Sequence, residues 1–313
     1  MKRDLTALAQ GGVLLTARAL EAGWPKRRLH RRLRTEGWTH VRQGAWAAPG
    51  RAVNWEIEAR AVQLQRPRLV CSHRTAAILH RIELLRSTHG GPEPAEFTDP
   101  HTDGSSWRGP GRRVHRLPLT DADCTVRRGL RVTTPARTVG DLMRRGPRDD
   151  ALVCADSALA RRVVHGVRRP PLLGQEDLRA ELSSGRRGGA AAREWLALTD
   201  PASGSPAETI ARLRMHDAGL HPESQPQFRT PEGRRVQPDF LFRKQGLVVE
   251  IEGYAYHGTR EAHARDIQRF NDLMACPGVR HILRFTAADV FHRPHHVIAT
   301  IHQALTHLDA HPK

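Results

Sequence analysis

Residues 238–253 have the sequence PDFLFRKQGLVVEIEG, in which acidic residues flank or interrupt two apolar runs. Residues 240–242 and 247–251 predict two short strands, because each run combines apolar side chains with β-branched or aromatic ones. Residues 243–246 are polar, end in glycine and predict the turn between the strands. The stretch therefore predicts an antiparallel hairpin.

This hairpin brings carboxylates together. Pairing of residues 242 and 247 places Asp239 directly across from Glu250, and Glu252 shares the face of Glu250 because side chains alternate along a strand. Like charges opposed in this way destabilise a hairpin unless a cation neutralises them, and a divalent cation with oxygen ligands is the usual one. We therefore predict Asp239 and Glu250 as ligands of Mg²⁺ or Mn²⁺.

A second interpretation is that these carboxylates are solvated on the exposed face of an edge hairpin, which antiparallel sheets permit. Val248 would then share the wet face, and the chain is otherwise strongly basic. Both features favour the metal site over the solvated face.

Five motifs follow one another in the last third of the chain. They are Ser205-Pro206-Ala207-Glu208, Pro238-Asp239, Val249-Glu250-Ile251-Glu252-Gly253-Tyr254-Ala255-Tyr256-His257, Arg265-Asp266 and Leu283-Arg284-Phe285-Thr286. In this order they resemble the very-short-patch-repair endonuclease-like domains of the PD-(D/E)XK nuclease superfamily. The resemblance implies a restriction-endonuclease-like α/β domain that hydrolyses DNA. It also implies five site residues: Glu208 on a leading helix, Asp239 as a metal ligand, Glu250 and Glu252 on the acidic strand, and His257 in an acid–base or phosphate role.

The chain departs from the superfamily at one position. The superfamily's Lys, two residues after the second acid, is Glu252 here, although the repair-type branch also lacks that Lys and uses His. Phosphodiester hydrolysis needs an activated water and neutralised phosphate charge, which Mg²⁺ supplies when one or two carboxylates hold it. Asp239 with Glu250 or Glu252 would be enough, and His257 could transfer a proton near neutral pH.

Three nearby features have competing interpretations. Glu208 also fits a capping box with Ser205, in which its carboxylate would serve the helix start rather than a site. The helix predicted over residues 260–274 has an apolar stripe of Ile267, Phe270, Asn271 and Met274, so Arg265, Asp266 and Arg269 are expected on its solvated face. The histidines at 292, 295 and 296 suggest zinc, but structural or solvated histidines are favoured because no acidic partner has fitting spacing.

The first fifty residues predict a winged helix-turn-helix. Residues 5–10 and 16–22 predict helices, the second capped by Thr16 and ended by Gly23, and a third helix begins near Pro25 and ends near Gly37. Residues 39–48 predict a two-stranded wing that turns at Gly44.

This segment is basic, with ten Lys or Arg against three acidic residues. A basic helix after a turn has the geometry that enters a DNA major groove, so we predict double-stranded DNA as the partner. A solvated helical hairpin in an arginine-rich chain is the competing interpretation. The predicted DNA-binding residues are Lys26, Arg27, Arg28, Arg31, Arg32 and Arg34 on the third helix and Arg42 on the wing.

The N-terminal half carries a second resemblance. The predicted winged helix, with Cys71-Ser72-His73-Arg74-Thr75-Ala76-Ala77 and Gly129-Leu130-Arg131-Val132-Thr133-Thr134-Pro135-Ala136-Arg137-Thr138, resembles the abortive-infection type IV antitoxin family (AbiEi-type). This resemblance implies a DNA-binding regulator, with a toxin or other protein as a partner whose identity is unknown.

Composition limits the remaining possibilities. A net charge of +17 points to a polyanionic partner, although 46 of the 50 basic residues are Arg, a bias that a GC-rich genome also produces. Four scattered cysteines and the lack of a long apolar run predict a cytoplasmic protein with no membrane partner.

The sequence as a whole predicts a mixed α/β protein of three domains: a winged helix (1–50), a central α+β domain (51–200) and the nuclease-like domain (201–313). We expect a metal-dependent DNA endonuclease, in defence or repair. A non-catalytic DNA-binding regulator or antitoxin that retains a degenerate nuclease fold is the alternative, and an RNA-directed enzyme is a third possibility.

Overall fold

A computed structural model describes residues 4–85, 94–100, 106–109, 111–253 and 260–311. The chain has a mixed α/β fold and divides into two compact units, one of Met1–Arg81 with Arg86–Asp141 and one of Ile82–Leu85 with Leu142–Lys313. The predicted division into three domains stays a prediction. Within the described ranges, no helix combines the length and the apolar character needed to cross a membrane.

The first unit begins with three short helices and a three-stranded antiparallel sheet of order β1-β3-β2. These elements are α1 (Leu5–Leu8), β1 (Val13–Leu15), α2 (Thr16–Glu21), α3 (Lys26–Thr35), β2 (Thr39–Arg42) and β3 (Ala45–Ala47). Strand β1 was not predicted, because three residues are too few to show alternation. Thr16 is the first residue of α2, and Leu15, not Thr16, is its N-cap. Leu29 and Leu33 are fully buried, as predicted, so α3 turns its cations outward.

The rest of this unit is built on a six-stranded mixed sheet of order β6-β7-β5-β4-β9-β8. Its elements are α4 (Trp55–Gln65), β4 (Val70–Cys71), α5 (His73–Leu79), β5 (Ala95–Asp99), β6 (Ser106–Gly109), β7 (Arg112–Arg116), β8 (Cys124–Arg127) and β9 (Leu130–Thr133), followed by α6 (Pro135–Arg145), which continues into the second unit. Phe97 and Val132 lie in its core beside Leu69 and Leu130.

The second unit contains a four-stranded sheet of order β12-β15-β16-β17. The elements of this second unit are α7 (Arg148–Leu159), β10 (Arg162–Val164), β11 (Val167–Arg169), α8 (Gln175–Leu182), α9 (Gly189–Leu196), α10 (Pro206–Asp217), β12 (Glu223–Ser224), β13 (Phe228–Arg229), β14 (Arg235–Val236), β15 (Phe240–Phe242), β16 (Leu247–Glu252), α11 (Arg260–Met274), β17 (His281–Thr286), α12 (Ala287–His292) and α13 (Pro294–Ala310). Strand β16 pairs with β15 antiparallel and with β17 parallel.

The predicted hairpin is confirmed. Phe240 pairs with Val249 and Phe242 with Leu247, so the next step outward sets Asp239 against Glu250. Strand β16 is buried on both faces in its first half, because alternate residues pack into the apolar core of this unit while Val248, on the other face, is also fully buried. An open wet face around Glu250 is therefore not what the fold provides.

The predicted buried stripe of α11 is wrong. Ile267, Phe270 and Met274 are 49%, 38% and 44% exposed, and Asn271 is exposed as well. Leu273 is the buried residue instead, packed with Val236 and Cys276. Helical periodicity identifies apolar rows but not which row meets the sheet, and here α11 packs by its C-terminal end.

Candidate active site

Asp239 lies at the entrance to β15 and is held on both carboxylate oxygens. Its Oδ2 accepts the backbone N–H of Ile251 at 2.7 Å, and its Oδ1 accepts the side-chain amide of Gln225 at 3.0 Å. The first bond ties it to β16, and the second ties it to the residue that follows β12. Asp239 therefore has one defined orientation, as a ligand or catalytic carboxylate requires.

Glu208 joins Asp239 through the same amide. Its Oε2 accepts Gln225 Nε2 at 2.9 Å and the backbone N–H of Gly204 at 2.6 Å. Ser205 caps α10 as predicted, since its hydroxyl accepts the N–H of Glu208 at 3.2 Å. The carboxylate of Glu208 accepts the N–H of Gly204 and not that of Ser205, so the capping box is only half formed. Glu208 therefore begins the capped helix and also contacts the carboxylate cluster.

Gln225 was not predicted as a site residue. Its backbone φ of +50° is unusual for a residue with a side chain, and such strain is retained mainly where the surrounding structure requires it. The backbone N–H of Gln225 donates to the carbonyl of Asp239 at 2.8 Å, and Gln237 donates to the carbonyl of Gln225 at 2.9 Å. Nothing in the local sequence signals this role, because it depends on a left-handed turn beside a distant strand.

The electrostatics of this cluster are dominated by the burial and crowding of its acids. Burial raises the pKa of Asp239 to about 7, and the charges of Glu208 and Glu250 act in the same direction. Burial also raises the pKa of Glu250, against the opposing charge of Arg269. Without a cation, Asp239 therefore holds a proton in much of the population near neutral pH.

Glu250 and Glu252 are each paired with an arginine. Nη2 of Arg269 lies 3.0 and 2.9 Å from the two oxygens of Glu250. Arg284 contacts Glu252 through Nε at 2.5 Å and Asp266 through Nη2 at 2.7 and 2.6 Å. Arg269 and Asp266 are therefore ion-paired toward β16 and β17. Arg269 is nevertheless exposed, as the predicted solvated face requires, whereas Asp266 is half-buried. The Arg265-Asp266 motif was the available signal, since it belongs to the resemblance quoted above.

A small pocket opens between α11 and the edge of β16 and β17. Its lining mixes charged with apolar side chains: Glu250, Asp266, Arg269, Phe270, Leu273, Ile282 and Arg284. The pocket gives Glu250 an opening toward solvent, although that side chain is only 12% exposed.

The described residues contain no group of three or more His, Cys, Asp or Glu side chains placed to hold a metal ion. Mg²⁺ requires fewer, since it keeps several waters and takes one or two protein carboxylates. Burial and the charges of Glu208 and Glu250 raise the pKa of Asp239, so a cation bound beside these carboxylates would stabilise their ionised forms. Asp239 and Glu250 therefore fit Mg²⁺ or Mn²⁺ as donors.

Two further predictions concern histidines. His257 lies outside the described residues, and its role stays a prediction. The histidines His292, His295 and His296 are exposed at the junction of α12 and α13. As no metal-binding group of three occurs in the described ranges, the zinc interpretation gains no support.

The cations predicted to contact DNA form an exposed surface on α3. Lys26, Arg27, Arg28, Arg31, Arg32 and Arg34 are all exposed, whereas Arg42 on β2 is half-buried. Arg32 pairs with Glu36 and lies 5.6 Å from the centroid of the Trp24 ring. Among the described residues, Lys26, Arg27, Arg28 and Arg31 form no ion pair, so their charges face solvent unneutralised.

No protein-family model matches the chain, and no curated protein matches it at a significant level.

Proposed function

We propose that this protein is a Mg²⁺-dependent endonuclease that hydrolyses phosphodiester bonds of double-stranded DNA. The observation that carries the proposal is the carboxylate cluster of Asp239, Glu208 and Glu250, in which burial and mutual repulsion raise the pKa of Asp239 to about 7. Raised carboxylate pKa values of this kind concentrate at functional sites. The order of motifs along the last third of the chain agrees with the nuclease resemblance.

Asp239 and Glu250 are the residues that would hold the metal ion. When bound, Mg²⁺ supplies a water of lowered pKa and neutralises negative charge on the phosphate. The chain's own contribution is orientation, because the N–H of Ile251 and the amide of Gln225 fix both oxygens of Asp239. Arg284 fixes Glu252 and Asp266 at the same edge of the sheet.

His257 follows β16 after five residues and is the chain's candidate for proton transfer near neutral pH. We assign it the role that the resemblance implies, protonation of the leaving oxygen or contact with the phosphate. Its substitution by Ala should lower the cleavage rate while leaving metal binding by the two carboxylates in place.

The N-terminal helices and sheet supply duplex binding in this proposal, as a winged helix whose α3 enters the major groove. The support is that Leu29 and Leu33 of α3 are fully buried, while the cations of the same helix are exposed. Four of them, Lys26, Arg27, Arg28 and Arg31, form no ion pair with a described residue. Removal of residues 1–50 should weaken duplex affinity and flatten its salt dependence, and unchanged values of both would overturn this assignment.

The proposal is tested by nicking of supercoiled plasmid by the purified full chain with Mg²⁺, Mn²⁺ or EDTA, beside single-stranded DNA and RNA of matched length. We expect duplex cleavage that requires the metal. Cleavage of RNA alone would change the proposed substrate from DNA to RNA. Failure to cleave any of these polymers would contradict nuclease activity.

A second function is favoured by one observation. Glu250 and Glu252 are each ion-paired with arginine, and position 252 lacks the superfamily's Lys, so the site could be a stabilised remnant. The protein would then be a non-catalytic DNA-binding regulator or antitoxin. Tight, salt-sensitive duplex binding without cleavage under every metal condition would identify it.

A further inference from the structure

Arg269 stands in direct contact with a candidate metal ligand. A single nitrogen of its guanidinium, Nη2, lies within 3.0 Å of both oxygens of Glu250 and donates to the carbonyl of Gln237 at 3.0 Å. Both oxygens that would face a metal ion are thus engaged by one cationic donor. A divalent cation at the same two oxygens would lie close to the guanidinium of Arg269, and the two positive charges would repel each other.

The two ends of this ion pair differ in their freedom to move. The Glu250 side chain is 12% exposed, on a central strand, whereas the Arg269 side chain is 42% exposed, on a helix surface. The guanidinium can therefore move into solvent, but a Glu250 left without a partner would be destabilising, so its departure requires a second cation at the carboxylate. The carboxylate cannot move without disturbing the sheet.

The neighbouring arginine provides a contrast. Arg284 is held by two acids at once, Glu252 and Asp266, and so links the end of β16 with α11. It does not contact Glu250 or Asp239 in any described hydrogen bond or ion pair. Only Arg269 donates hydrogen bonds to Glu250, although Arg284 lies opposite Glu250 in the paired strands and its charge also acts to lower the pKa of that carboxyl.

We propose that Arg269 is an internal counter-cation of this site, which neutralises Glu250 in the metal-free protein and must be displaced when a divalent cation binds. The inference rests on the proposed function, since it presumes a metal site at Asp239 and Glu250. Arg269 therefore acts as a regulator of metal affinity: it sets the metal concentration at which the site fills. Arg269 lines the pocket beside Glu250, so the displaced guanidinium stays next to the site.

The test is calorimetric titration of the full chain with Mn²⁺ at one pH above 7. The variants are Arg269→Gln, Arg269→Lys, Asp239→Asn, and Arg234→Gln as the matched control, since Arg234 is 52% exposed and pairs with the 13% exposed Asp272. Removing a charge-assisted competitor should tighten Mn²⁺ binding by about tenfold in Arg269→Gln. Arg269→Lys should give an intermediate affinity, because Lys keeps the charge but not the planar donor geometry. Arg234→Gln should change the affinity by less than about twofold, because Arg234 pairs with Asp272 and contacts no acid of the candidate site in the described hydrogen bonds and ion pairs.

Thermal unfolding gives a second readout that does not depend on catalysis. A metal that binds only the folded state raises the Tm according to its affinity, so the Mn²⁺-induced rise should be larger in Arg269→Gln than in the wild type. If the ion pair were purely structural, Arg269→Gln would have a lower Tm than the wild type without metal. Mn²⁺ would then raise the Tm of the variant no more than it raises that of the wild type.

The outcomes separate this inference from the proposed function. Equal or weaker Mn²⁺ binding by Arg269→Gln, with binding lost in Asp239→Asn, would overturn the counter-cation and leave the metal site standing. Binding that survives in Asp239→Asn, or is absent from the wild type and every variant, would overturn both.

Discussion

The side-chain amide of Gln225 lies 3.0 Å from Oδ1 of Asp239. Through the same nitrogen it reaches Glu208 at 2.9 Å, so one neutral donor stands between a buried and a half-buried acid. A donor in this place stabilises the ionised form of Asp239.

Gln225→Ala should therefore raise the pKa of Asp239 further above its ordinary range. Loss of a hydrogen bond to a charged group is worth about 1.5–3 kcal/mol, enough to move the titration by about one unit or more. Carboxyl NMR titration of wild type and variant measures this shift. Gln245→Ala is the control, because Gln245 donates to Asp309 at 3.1 Å in an exposed turn. An unmoved Asp239 titration in Gln225→Ala would contradict the role.

Protons and metal should compete at Asp239. With a folded-state pKa of about 7 against an ordinary 3.8, the folded chain binds more protons than the unfolded chain between those values. The free energy of unfolding therefore falls as pH rises from about 4 to about 7. Above that range the folded chain bears the full cost of an ionised Asp239.

Asp239→Asn removes this penalty, and without metal it should raise the Tm at pH 8 but not at pH 4. The expected gain is on the order of 1–2 kcal/mol at the higher pH. Melting curves across the pH range, with EDTA, measure it. An equal effect of the substitution at both pH values would show that Asp239 is not the group that titrates. Mn²⁺ affinity of the wild type should in turn rise with pH through about 7.

Gly204 leaves room for the Glu208 carboxylate. A Cβ added at Gly204 would lie 2.9 and 3.0 Å from its two oxygens, closer than normal contact. Gly204→Ala should displace Glu208 from Gln225 and destabilise the fold by about 1 kcal/mol or more. Chemical denaturation measures the loss. Gly174→Ala is the control. Gly174 precedes α8, and its added Cβ would lie 3.5 Å from Asp177, which is an ordinary contact distance. Equal stability changes in the two variants would count against a close approach at Gly204.

The cations of α3 should carry the salt dependence of DNA binding. Replacing Arg27, Arg28 and Arg31 by Gln should weaken duplex binding and lower the slope of log affinity against log salt by about one per lost phosphate contact. Fluorescence anisotropy at several salt concentrations measures both quantities. Arg179→Gln is the control, because Arg179 is equally exposed but pairs with Glu176 on α8. A slope unchanged in the triple variant would remove α3 from the DNA interface.

The hairpin at residues 238–253 could be predicted because its determinants are local. The two apolar runs and the polar turn between them, which ends in Gly246, fix strand and register, and with them the position of Asp239. The buried leucines of α3 follow from the same kind of local periodicity.

The partners of the carboxylates could not be predicted in the same way. Gln225 meets Asp239 across 14 residues and Glu208 across 17, through a left-handed turn that no short pattern announces. Arg269 reaches Glu250 because α11 packs by Leu273 rather than by its apparent apolar stripe. Such contacts depend on tertiary packing, which local propensity does not contain.

Plasmid nicking by wild type, Asp239→Asn and Asp309→Asn in Mg²⁺ tests the central claim most directly. Asp309 is an exposed carboxylate on α13, bonded to Gln245, and serves as the matched control. We predict metal-dependent nicking by the wild type and by Asp309→Asn, and a loss of about 10²-fold or more in Asp239→Asn, since one carboxylate ligand anchors the metal-assisted step. Equal nicking by all three proteins would place the chemistry elsewhere and contradict the account.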